Sequence, residues 1–92
     1  MPKKRILQKI IIPDAPLKRG TKGMAVINLQ RVLQSILKTK GKANPLNIEP
    51  GIYGPVTEMM VRHFQGTYGL FPSGAYTELT RLRIKEVLKD AD

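Results

Sequence analysis

Two glutamines, two tyrosines and two threonines recur in register along this chain. Val26-Ile27-Asn28-Leu29-Gln30 is matched by Val61-Arg62-His63-Phe64-Gln65. Downstream of each, Gly51-Ile52-Tyr53-Gly54-Pro55-Val56-Thr57 is matched by Gly74-Ala75-Tyr76-Thr77-Glu78-Leu79-Thr80. An amide among apolar helix residues needs a partner, because burying it unpaired is costly. Gln30 and Gln65 either hold a ligand or bond the backbone of their own glycine loop. The duplication favours the second reading, since a structural role belongs in both halves and a ligand site need not. Thr57 and Thr80 are expected to satisfy first-turn backbone groups of the helices they begin. Tyr53 and Tyr76 pair an apolar ring with a hydroxyl donor, which suits either stacking on a sugar or plugging a small core. Tyr76 is assigned to the core, and Tyr53, beside a long loop, stays open between the two. Arg62 and His63 are expected to face outward, where Arg62 could meet a carboxylate.

The residues of a catalytic site are missing. The chain has no cysteine, no His-Asp pair at a recognisable spacing, and neither an H-E-x-x-H nor a G-x-S-x-G motif. Glu49 and Glu58 are close in sequence, but a two-carboxylate glycosidase needs a cleft that short helices do not readily build. A lone His among scattered acids offers no metal cluster. The expectation is a non-enzyme with no catalytic residue, no metal and no cofactor.

Ninety-two residues make one small domain. The formal net charge of +9 is uneven. Up to Lys42 there are eleven Lys or Arg against the single acid Asp14; from Ala43 onward there are five against six. Such asymmetry suits an anionic partner (nucleic acid, acidic lipid or an anionic wall polymer) or simply solvates a surface. No transmembrane span is present, and Lys9 interrupts an apolar stretch too short for a signal peptide. Residues 1–15 are read as a basic, apolar arm packing on the domain as a strand or short helix; a membrane-surface role is the weaker alternative. Residues 16–92 form the domain.

Within that domain, Thr21 is the expected N-cap of a first helix. Val26, Leu29, Leu33, Ile36 and Leu37 recur at helical spacing to about Leu37. Lys38 to Pro50 reads as a long polar loop, an insertion of about a dozen residues relative to the second half. Pro55 suits the first turn of a second helix, whose stripe is Val61, Phe64 and Tyr68 and whose stop is Gly69. Leu79, Leu82, Ile84, Val87 and Leu88 outline a third. The prediction is an all-α three-helix domain with an internal pseudo-twofold repeat.

Leu17-x-x-Gly20-Thr21-x-Gly23-x-x-Val26-x-x-Leu29-Gln30-x-x-Leu33, followed by Gly51-Ile52-Tyr53-Gly54-Pro55-x-Thr57-x-x-x-Val61-x-x-Phe64-Gln65-x-x-x-Gly69-Leu70, resembles the peptidoglycan-binding domain of the PGBD-like superfamily. The resemblance runs from about Pro16 to Val87. It departs at Pro50 and Ser73, where the family usually has Asp, and at Thr77-Glu78, where the second loop usually has glycine and proline. The resemblance implies non-catalytic binding of bacterial cell-wall peptidoglycan, through its glycan strand or stem peptide. It also implies a linked or separate lytic activity of endolysin type held near its polymer, location in the cell wall or periplasm, phage or bacterial origin, and a monomer. The ligand-binding residues expected are Gly51, Ile52, Tyr53, Gly54 and Arg62, in a groove between the first glycine loop and the start of the second helix. Gln30, Thr57, Gln65 and Thr80 are assigned structural roles. The alternative is a small basic nucleic-acid-binding protein of helix-turn-helix type.

Overall fold

The computed structural model of the chain describes residues 10–39 and 48–90. It contains three helices, α1 (Met24–Thr39), α2 (Pro55–Thr67) and α3 (Glu78–Asp90). There is no strand among the described residues. Two isolated antiparallel bridges, Leu17 with Tyr76 and Lys22 with Ile52, are the only ladder pairing among the described residues. Residues 1–9 of the expected arm and residues 40–47 of the expected long loop lie outside the described residues.

The apolar spacing of α1 does what it predicts: Val26, Leu29, Leu33, Ile36 and Leu37 are all buried, joined by Val32. From α2 come Met60, Val61 and Phe64, with the Tyr68 ring tilted against Phe64 at a centroid distance of 4.8 Å. α3 departs from the predicted stripe. Ile84 is buried and Val87 and Leu88 pack against the core, but Leu79 and Leu82 stand in solvent. Thr80 takes the inner position at the start of α3, because the second glycine turn sets the phase of the helix before its apolar residues can.

Each helix begins differently. Thr21 does not cap α1. Its hydroxyl accepts from the Lys18 N–H at 3.3 Å, closing a turn. Lys22 is held in its bridge with Ile52, so the helix starts only after Gly23, whose carbonyl accepts from the N–H groups of Val26 and Ile27. α2 starts at Gly54 without a side-chain cap, with Pro55 in the first turn, where its missing N–H costs nothing. α3 is capped by Thr77, whose hydroxyl accepts from the Thr80 N–H at 3.3 Å. α2 ends as predicted at Gly69, in the left-handed region at φ +82°, with the Leu70 N–H returning to the Gln65 carbonyl at 2.7 Å.

Before α1 the chain lies extended across the ends of both later helices. Pro13 is buried, and Ile12, Ala15 and Leu17 pack against the core. The part of the arm that is described, residues 10–15, is irregular chain with a bend at Ala15, neither strand nor helix.

Candidate functional site

Gln30 is 3% exposed and Gln65 1%. Neither is free for a ligand, because each amide is consumed by the glycine turn of its own half. The Gln30 amide nitrogen donates to the carbonyls of Glu49 (3.0 Å) and Ile52 (3.2 Å) and to the Thr57 hydroxyl (2.8 Å). Its oxygen accepts from the Gly51 N–H at 2.9 Å. The Gln65 nitrogen donates to the Ala75 carbonyl (2.9 Å), the Thr80 hydroxyl (3.0 Å) and the Ser73 hydroxyl (3.5 Å). Its oxygen accepts from the Gly74 N–H at 2.9 Å. One flat amide thereby fixes a turn and the first residues of the next helix. Gly51 and Gly74 adopt the same left-handed backbone, φ +79° and +85°, which glycine tolerates at no steric cost.

The tyrosines join the two clamped turns to each other and to the lead-in chain. The Tyr53 hydroxyl donates to the Gly74 carbonyl at 2.6 Å, and the Tyr76 hydroxyl to the Pro13 carbonyl at 2.7 Å. Both rings are buried. Burial pushes both phenols well above their ordinary range; for Tyr53 the nearby Glu58 carboxylate adds to the push. Between the turns runs the segment 17–23. The Gly20 N–H bonds the Tyr53 carbonyl, the Tyr53 N–H bonds the Thr21 carbonyl, and Leu17 exchanges both bonds with Tyr76.

Of the residues expected to contact ligand, Gly51 and Tyr53 are buried, Gly54 is half-buried and Ile52 is exposed at the tip of the first turn. The Tyr53 ring offers no face to a sugar, since its apolar edge fills the core and its hydroxyl is spent on the second turn. Arg62 is on the surface but tied to the second turn, not the first. Its Nε donates to the Pro72 carbonyl at 3.2 Å and its Nη2 to the Ser73 carbonyl at 3.3 Å. The link back to the first turn runs through Arg19. Its guanidinium pairs with Glu58 at 3.0 Å, and Glu58 lies with Arg62 over Gly74. Among the described residues Arg62 forms no ion pair; its guanidinium is held by the two loop carbonyls, with the Arg19-paired Glu58 side chain beside it over Gly74.

The sequence reading missed Phe71, which is 83% exposed in the loop between α2 and α3. An aromatic sandwiched between Leu70 and Pro72 reads as core by composition, and only the loop geometry turns it outward. No group of acids and histidines fit to hold a metal occurs among the described residues. The helix-turn-helix reading finds no support in α3, where Arg81 pairs with Glu78 and Arg83 with Glu86.

The sequence matches the model of the peptidoglycan binding domain family over residues 22–84, more than half of the chain, and the chain belongs to that family. No curated protein and no solved structure matches it.

Proposed function

We propose that this domain binds wall peptidoglycan without chemistry of its own and so keeps a linked or separate lytic activity beside its polymer. Membership of the family supports the choice of polymer. The single observation that carries the mode of binding is Arg62: a surface guanidinium held in place by two backbone carbonyls, with no acid of its own among the described residues. A cation fixed in advance loses little freedom when it meets a stem-peptide or muramyl carboxylate. Ile52, exposed at the tip of the first turn, supplies a second contact. Tyr53 acts from inside, joining that turn to the carbonyl beneath Arg62.

Sedimentation with purified sacculi tests this reading. The wild-type domain co-sediments at both low and high salt. Arg62→Ala weakens binding roughly five- to tenfold, in line with the loss of one charge-assisted contact, and Ile52→Ser weakens it less. Thermal melts run alongside separate lost binding from lost folding. Binding that is unchanged in the folded double variant rules out this surface.

A further inference from the structure

α2 contains a glycine that the fold does not ask for. Gly66 is the next-to-last residue of α2, is exposed, and a Cβ built on it would meet nothing within 4 Å. The chain has the opposite case at Gly51 and Gly74, where φ is positive and neighbours crowd the position. Glycine weakens a helix relative to alanine, so packing gives no reason for it here.

Its surroundings supply one. At 100° per residue, Met59, Arg62, His63 and Gly66 share one side of α2, and all four are exposed. The loop that leaves α2 runs back along the edge of this strip. The Leu70 N–H is fixed to the Gln65 carbonyl, and the Pro72 carbonyl is fixed to Arg62. Phe71 stands between those two anchors with its ring in water, and its own carbonyl accepts from the Ser73 N–H at 2.8 Å. An exposed aromatic, an uncovered helix end and a guanidinium that forms no ion pair among the described residues are thus brought to one region of the surface by these backbone anchors.

We infer that this strip is a glycan subsite. Phe71 stacks on the apolar face of an amino-sugar ring, Gly66 lets that ring lie close to the helix, and Arg62 receives the carboxylate carried by the adjoining sugar or its peptide. The inference rests on the peptidoglycan reading above and deepens it, moving the sugar contact from the first turn to the second. Charge selects the occupant: amino-sugar polymers bearing carboxylates offer both a stacking face and an anion to a site that offers an aromatic and a guanidinium.

The test is sedimentation with purified sacculi for the wild type, Gly66→Gln, Phe71→Ala and, as a surface control, Leu79→Ala, each with a thermal melt. Gly66→Gln is expected to keep or raise the melting temperature, by roughly 2–6 °C, while losing about tenfold or more in binding. Phe71→Ala is expected to melt like the wild type and to lose roughly fivefold. Leu79→Ala binds like the wild type. Gly66→Gln and Phe71→Ala both binding within twofold of the wild type would overturn the subsite and leave the peptidoglycan reading standing. A wild type that fails to sediment with sacculi at any salt overturns both.

Discussion

The two glycine turns share one clamp and wear different lids. Gln30 and Gln65 hold their turns through matching bonds at matching distances, and Thr57 and Thr80 complete both. What lies over the glycine differs. Gly51 is covered by the Ile27 side chain, whereas Gly74 is covered by Glu58 and Arg62. Ile27 and Arg62 hold the same place in their halves, three residues before the glutamine. The helix that follows also starts differently, from Gly54-Pro55 in one half and from a Thr77 cap with Glu78 in the other. The hydrogen-bonded frame was copied intact, and the surface residue above it became a greasy plug in one copy and a charge in the other. A frame that tolerates either lid leaves the outer residues free to serve recognition.

The comparison can be broken most directly at the clamps. Gln30→Ala and Gln65→Ala each remove the partner of a glycine N–H and of three carbonyls or hydroxyls, two of these four bonds being buried in each half. Each is expected to cost about 3–5 kcal/mol, at 1–3 kcal/mol per stranded buried group, a large share of a small domain's stability. Urea melts showing one substitution to be nearly silent would mean that the halves are not energetically alike.

The lids are distinguished by adding a methyl group. Both glycines pay about 1–2 kcal/mol for left-handed backbone in an L-residue. Gly74→Ala also drives its Cβ to 2.9 Å from the Glu58 Cγ, while at Gly51 the nearest atom is a yielding Ile27 methylene at 3.3 Å. Gly74→Ala should therefore cost about 2–4 kcal/mol and Gly51→Ala less. Equal losses in chemical denaturation would refute the difference in cover.

The smallest expected effect is at the tyrosines. Tyr53→Phe and Tyr76→Phe each remove one donor from a carbonyl, about 1–2 kcal/mol. They also change the response to alkali. The folded phenols titrate above the unfolded ones, so their contribution is complete below about pH 10 and declines as pH rises beyond it. The double Phe variant should lose stability less steeply than the wild type between about pH 10 and 12, measured by melts across that range.

Much of this arrangement was legible in the residues. Repetition marked the glutamines and threonines as frame, and their bonds close on the turns that the spacing indicated. Helical periodicity found the inner faces of α1 and α2 because their apolar residues are strongly patterned. It misplaced Leu79 and Leu82 because α3 takes its phase from the Thr77 cap and the Gln65–Thr80 bond, which no periodicity encodes. Thr21 looked like a cap by type alone, but the bridge at Lys22 delays the helix. Tyr53 read equally well as plug or platform, and only its distance to the Gly74 carbonyl decides. Phe71 carried no pattern, because exposure in a loop depends on where the neighbouring carbonyls are anchored.

The lead-in chain has a practical consequence for anyone who wishes to graft this module onto an enzyme. Family similarity begins at residue 22, yet the Tyr76 hydroxyl reaches back to Pro13 and its backbone to Leu17. A fusion cut at the edge of the similarity would discard the acceptor for one tyrosine and a partner for the second turn. Engineers should place the junction upstream of Pro13 and spend their linker there.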